Sequence, residues 1–231
     1  MTKKQLLKKI KLSDADLNEI KSAVSDAEKK TTGEIALALT AESDTYSFWE
    51  LLASIYLAAI VFVSLLPFAP RIYSLYGKFL WQTPDWLIPV FYGIACLASI
   101  VLGFFIMNVP VIDRFVIPRT IRNSCVTHRA FRHFAESGVY DTKEHSGILI
   151  FVSYMERQVR VIADRGISEK ISQDIWNIIA DDLAEGIKLG KTKEGFLNAI
   201  EKCSELLSEH FPAHDKNPNE LLDGLVILDN E

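Results

Sequence analysis

Residues 49–68 read WELLASIYLAAIVFVSLLPF and contain one charged side chain, Glu50. Residues 86–107 read WLIPVFYGIACLASIVLGFFIM and contain none. A helix rises about 1.5 Å per residue, so about twenty apolar residues cross the roughly 30 Å hydrocarbon core of a bilayer. Because only residues 69–85 separate the two segments, the sequence predicts a transmembrane hairpin inserted over residues 48–108.

The distribution of basic residues predicts the orientation of this hairpin. Lys29 and Lys30 precede it and several arginines follow it, whereas the intervening loop contains only Arg71 and Lys78. Basic residues are retained on the cytoplasmic side of a membrane. We therefore expect an integral protein of a bacterial cytoplasmic (inner) membrane, with residues 69–85 outside and both termini in the cytoplasm.

Four arginines after the second segment allow two interpretations: Arg114, Arg119, Arg122 and Arg129. Each could contact anionic lipid, with about 1 kcal/mol of attraction near the surface. The same residues could serve only to hold the orientation of the hairpin. The sequence leaves both interpretations open, and in either case predicts the lipid bilayer as a partner.

Outside the hairpin, residues 1–47 and 109–231 have the composition of a globular domain. The net charge of −5 comes from mixed-sign segments, which excludes the general basic surface of a nucleic-acid-binding protein. Three cysteines, far apart, form no disulfide framework or zinc motif and suit a reducing compartment. The first eleven residues are basic but lead into a polar helix, so we expect no signal peptide.

Hydrophobic periodicity predicts an α/β (α+β) fold, with a small central β-sheet flanked by helices. Its predicted helices span residues 11–30, 119–137, 172–188 and 192–209, and its predicted strands span 34–40, 147–154 and 158–164. In the third helix we expect Ile175, Ile178, Ile179 and Leu183 to face inward. An isolated strand cannot satisfy its backbone, so residues 34–40 must pair with the later two strands. The transmembrane hairpin therefore interrupts one discontinuous domain.

One strand end is the most site-like part of this domain. Asp164 ends the last predicted strand, Arg165 and Gly166 follow as a turn, and Ser168 is expected to cap the next segment. Asp181 and Asp182 lie on the following helix. Carboxylates that converge repel one another unless a cation is shared, so these three aspartates are candidate ligands of Ca²⁺ or Mg²⁺. The alternative is a turn with a local Asp–Arg pair, and no established catalytic motif accompanies it.

The run GILIFVSYMERQVRVIADRGISEKIS at residues 147–172 resembles the core of the TPM domain family. Other matching features are Thr32-Gly33-Glu34 before the first strand and the closing helix KTKEGFLNAIEKCSELL at residues 191–207. The hairpin and the C-terminal tail resemble a bacterial membrane-protein branch of this family. The resemblance covers nearly the whole chain outside the two apolar segments.

This resemblance implies the fold more strongly than an activity. Some members of the family are acid phosphatases, and others bind divalent metal or assist the assembly and repair of membrane complexes. Two functions are therefore open. One is a non-enzymatic, membrane-anchored module that binds a partner protein in assembly, repair or quality control. The other is a metal-dependent phosphatase acting at the membrane surface.

Overall fold

The computed structural model describes residues 1–78, 84–107, 110–213, 221 and 224–229. Residues 79–83 of the predicted loop and residues 108 and 109 at the predicted domain boundary lie outside this range. The elements in chain order are α1 (Lys3–Ile10), α2 (Asp14–Glu28), β1 (Glu34–Thr40), α3 (Ser47–Leu65), α4 (Ala69–Tyr76), α5 (Leu87–Met107), α6 (Pro110–Val116), α7 (Arg119–Glu136), β2 (Gly147–Ser153), β3 (Gln158–Ala163), α8 (Arg165–Ser168), α9 (Gln173–Lys188), α10 (Thr192–His210) and β4 (Leu225–Leu228). Residues 1–45 and 120–231 form one compact unit, and residues 46–119 form a second.

A four-stranded sheet in the order β3-β2-β1-β4 organises the first unit, the α/β unit. β1 pairs in parallel with β2, and β2 pairs antiparallel with β3. The predicted α/β fold and the pairing of β1 with the later strands are thus confirmed. β4 is not among the predicted strands, and it pairs in parallel with β1.

The two faces of the sheet carry separate hydrophobic clusters. Ile35, Leu37 and Leu39 of β1 face a core shared with α1, α2, α9 and α10. On the opposite face Ala38 lies in a cluster with Val126, Ala130 and Phe134 of α7. Alternation along the strand places Ala38 on this face and the larger side chains of β1 on the other.

Three local predictions are corrected. The helix expected over residues 11–30 is α2, which begins only after Ser13 with a Ser13–Asp16 capping box, and a separate helix, α1, precedes it and ends at the left-handed Lys11. In α9, Ile175 and Ile178 are 37 % and 59 % exposed, while Trp176 and Ala180 join Ile179 and Leu183 inside. The expected loop after the first apolar segment begins with α4, with Pro67 shortly before the helix and Pro70 in its first turn.

In the second unit, the hairpin unit, α3 lies against α5. A Cβ added to Gly103 of α5 would lie 3.3 Å from the Ser54 Cβ of α3, so the two backbones approach closely there. The Tyr92 hydroxyl donates to the Leu65 carbonyl over 2.8 Å. Two stretches, Ser47–Tyr76 and Leu87–Met107, are long and apolar enough to cross a membrane, and only 11 % of the most apolar part of each is buried.

Candidate functional site

A cleft of about 600 Å³ opens in the α/β unit where α1 ends, where β2 turns into β3, and where α9 ends. Its apolar surface includes Ile10, Val159 and Leu189. The cleft is large enough for a small molecule or a short peptide segment. We refer to it as the basic cleft, because the side chains that line it include the four cations described next.

Four cations and two carboxylates line the basic cleft: Lys9, Lys11, Arg157 and Lys188, with Asp181 and Glu185. Lys188 forms an ion pair with Glu185 over 2.9 Å. The Lys9 ammonium lies 5.8 Å from the centre of the Tyr154 ring, within cation–π range. The excess of positive charge favours an anionic ligand.

Two of these cations have an unusual backbone conformation. Lys11 has φ 58° and Arg157 has φ 53°, in the left-handed region that favours glycine. Lys11 follows the last residue of α1, and Arg157 closes the β2–β3 turn, where its backbone N–H donates to the Tyr154 carbonyl. Glycine is the usual residue at both kinds of position. Left-handed residues other than glycine are enriched at functional sites.

A buried polar network fixes the turn that carries Arg157. Glu156 of the same turn is only 4 % exposed. One oxygen of its carboxylate accepts the Ser43 backbone N–H over 2.9 Å, and the other accepts the Ser153 hydroxyl in a short hydrogen bond. The Ser43 hydroxyl in turn donates to the Ser153 hydroxyl oxygen over 2.8 Å. Hydrogen bonds from two segments thus hold the turn, and they link it to the residues that precede α3.

Asp164, the leading candidate from the sequence, lies at a separate place that we call the strand-end corner. One of its oxygens accepts the Arg165 backbone N–H over 2.6 Å, and the other lies 3.3 Å from Nδ1 of His145. Asp164 itself is the N-cap of α8. The prediction that Ser168 caps the next segment is wrong: its hydroxyl donates to the Ala163 carbonyl, and Ser172 caps α9.

The structure does not bring the three predicted metal ligands together. Asp182 forms an ion pair with Lys202 over 2.6 Å, and Asp181 lines the basic cleft. Burial lowers the pKa of the Arg160 guanidinium, and the charge of Asp181 opposes that shift. Among the described residues, no three His, Cys, Asp or Glu side chains form a group that could hold a metal ion. Ca²⁺ or Mg²⁺ binding stays a prediction without a described ligand set.

The four arginines proposed for membrane contact differ in exposure. Arg119 is exposed and Arg114 is half-buried. Arg122 is only 9 % exposed, and Arg129 donates to the Asp229 carbonyl over 3.3 Å. Lipid contact therefore stays a prediction, and Arg119 has the side chain best suited to it.

The basic cleft is not predicted from the sequence. Residues 154–157 form the turn between β2 and β3. Nothing in the sequence, however, places that turn beside α1 and the end of α9, which are far away along the chain. The combination of a lysine after a short helix and an arginine at the end of a hairpin turn, where glycine is usual, is the one local signal that was available.

Comparison with known proteins finds one family model that matches part of the chain. Residues 114–206 match the family model described as the TPM domain. The fold is similar to the NMR structure of BA42 protein from the psychrophilic bacterium Bizionia argentinensis, with a TM-score of 0.53, 19 % sequence identity, and 94 % of each chain covered. At this identity the likeness shows the fold alone. No curated protein matches the chain. Residues 114–206 therefore carry a TPM domain.

Proposed function

We propose that this protein is a membrane-anchored module that binds a partner protein and has no enzymatic activity of its own. The observation that carries the anchor is the exposure of α3 and α5. Leu97 and Phe105 of α5 are 65 % and 71 % exposed, and Ile60 of α3 is 63 % exposed. A soluble protein rarely exposes a continuous apolar surface of this size, whereas a bilayer would cover it.

Polar groups within α3 and α5 also suit a bilayer. The hydroxyls of Ser54, Ser64 and Ser99 each donate to the carbonyl four residues earlier in the same helix. Hydrogen bonds within a helix satisfy polar groups where water is absent. We place the hairpin in a bacterial cytoplasmic membrane with the α/β unit in the cytoplasm, because Arg71 and Lys78 are the only basic residues between the two apolar segments.

The basic cleft supports binding rather than hydrolysis. It offers cations and apolar surface within one concave site, which is the composition of a recognition site. A metal-dependent phosphatase needs several oxygen ligands that converge on one ion. Asp164, Asp181 and Asp182 instead have different surroundings, as described above. We therefore favour assembly, repair or quality control of a membrane complex as the process that this module serves.

The two functions predict opposite results with the full chain purified in mild detergent. The binding module should copurify with the same partner from independent preparations, and should release no phosphate from a generic phosphate ester, with or without Mg²⁺. Phosphate release that a chelator abolishes, or the absence of any partner that recurs between preparations, would contradict the proposal.

A further inference from the structure

We infer that the basic cleft binds an acidic peptide segment that also carries apolar side chains. In this inference Lys11 and Arg157 are the main cations that contact the carboxylates of the peptide. This inference deepens the proposed function, because it names the chemistry of the partner at that site. Three features of the cleft carry it: three cations without a carboxylate partner among the described residues, the different elements that two of them reach, and the backbone conformation of two of them.

The first feature is that three of the four cations have no carboxylate partner among the described residues. In the part of the chain that the structure describes, no carboxylate lies within ion-pair distance of Lys9, Lys11 or Arg157. Other lysines of the α/β unit do have such partners: Lys193 pairs with Glu19 and Lys202 with Asp182. The positive charge at the cleft is therefore available to a ligand.

The second feature is that Lys9 and Lys11 extend toward different elements that line the cleft. Lys9 lies beside the ring of Tyr154, which follows β2. The Lys11 ammonium lies beside Gly190 after α9, 2.9 Å from the point that a Cβ on that glycine would occupy. Apolar side chains of α1, β3 and α9 also line the cleft. An extended segment with carboxylates separated by apolar side chains would meet both the cations and this apolar surface, whereas a phosphate would meet the cations alone.

The third feature separates a ligand role from a structural role. A lysine after α1 has a structural explanation, because helix C-termini carry partial negative charge that favours cations. Arg157 has no such explanation, since it ends a hairpin turn rather than a helix. Both residues occupy left-handed positions where glycine would relieve strain. An arginine or lysine at such a position adds backbone strain, so we assign its charge to ligand binding rather than to stability.

The test uses the full chain in nanodiscs of zwitterionic lipid, so that no anionic lipid competes for the cleft. Fluorescence anisotropy would measure the binding of labelled decapeptides of three kinds: alternating Glu and Leu, alternating Lys and Leu, and alternating Glu and Ser. We expect the Glu–Leu peptide to bind most tightly, and its affinity to fall as salt is raised. Equal affinity for all three peptides would overturn the inference, as would displacement of the bound peptide by inorganic phosphate at equimolar amounts.

Variants then assign the binding to the cleft. Arg157→Gly and Lys11→Gly should each lower the affinity for the Glu–Leu peptide about three- to tenfold. This is the range expected for losing one charged contact. Each should also raise the melting temperature by about 2–4 °C, because strain at a left-handed position is relieved. Higher stability excludes misfolding as the cause of weaker binding. Unchanged affinity in both variants would overturn the inference.

Two neighbouring lysines on α1 provide a matched control. Lys9 lines the cleft and Lys8 does not, although both are exposed. We expect Lys9→Gln to lower the affinity for the Glu–Leu peptide about threefold, and Lys8→Gln to leave this affinity unchanged. Equal losses in the two variants would mean that only overall charge matters, and would overturn the assignment to the cleft. These readouts use purified protein and a defined peptide, so they can fail while the membrane anchor holds, and the reverse.

Discussion

The two units of this protein differ in the exposure of their large apolar side chains. In the α/β unit, Phe196 and Trp176 are 0 % and 1 % exposed, and they lie in a core shared by the sheet and four helices. In the hairpin unit, Phe105 and Leu97 are 71 % and 65 % exposed. The α/β unit thus buries its own apolar surface, whereas the hairpin unit needs an environment that supplies the burial. A bilayer is such an environment.

The largest expected effect tests the α/β side of this comparison. Phe196→Ala should lower the free energy of unfolding by about 3–5 kcal/mol, because it leaves a cavity in a fully buried site. Phe105→Ala is the matched variant in the hairpin unit, and it should leave unfolding of the α/β unit unchanged. Urea unfolding of the full chain in detergent, followed by tryptophan fluorescence, measures both. Equal losses would mean that the two phenylalanines have equivalent surroundings.

A second pair of variants tests the environment of the exposed residues directly. Leu97 and Ile178 are similarly exposed, at 65 % and 59 %, on α5 and α9 respectively. An arginine at the centre of a membrane-spanning helix costs about 2.5–3.5 kcal/mol, whereas one on a water-exposed helix changes stability by less than about 0.5 kcal/mol. Leu97→Arg should therefore reduce the protein recovered in membranes, and Ile178→Arg should not. Equal recovery of the two variants in membranes would contradict a membrane environment for α5.

The two units also differ in how much of their structure can be predicted from the sequence. The hairpin helices follow from length and composition alone, and β1, β2 and β3 follow from short-range patterns. β4 was missed because Leu225–Leu228 is four residues long, and its pairing with β1 depends on a contact across almost the whole chain. The buried face of α9 was predicted incorrectly for a similar reason: Trp176 is buried by neighbours that periodicity does not reveal. The basic cleft likewise depends on three elements that meet only after folding.

A smaller effect is expected at the close approach between α3 and α5. A side chain at Gly103 would meet Ser54 and Leu57 at 3.2–3.4 Å, whereas nothing lies within 4 Å of a Cβ at Gly93. Gly103→Leu should therefore destabilise the hairpin by about 1–3 kcal/mol through overpacking, and Gly93→Leu should not. Resistance of the hairpin unit to proteolysis in detergent distinguishes the two. Equal sensitivity would show that α3 and α5 do not depend on this contact.

The smallest effect concerns the strand-end corner. Asp164→Ala should cost about 1 kcal/mol, the usual value for a lost helix N-cap, because Asp164 accepts the Arg165 backbone N–H. We expect the same loss with and without Mg²⁺, since no metal-binding group includes Asp164 among the described residues. Asp182→Ala removes only a partly exposed ion pair with Lys202, and should cost less than about 1 kcal/mol. Stabilisation of the native protein by Mg²⁺ that Asp164→Ala abolishes would restore the metal interpretation.

The central claim, a hairpin that crosses the membrane from a cytoplasmic α/β unit, is tested most directly by cysteine labelling of intact cells. Burial raises the pKa of the Cys203 thiol to about 12, so this native cysteine should stay unreactive while the protein is folded. In a background carrying Cys96→Ser and Cys125→Ser, one new cysteine is introduced at Ser74 or at Glu209, both exposed. A membrane-impermeant maleimide should label Ser74→Cys in intact cells, and should label Glu209→Cys only after the cells are opened. Labelling of Glu209→Cys in intact cells would contradict the claim.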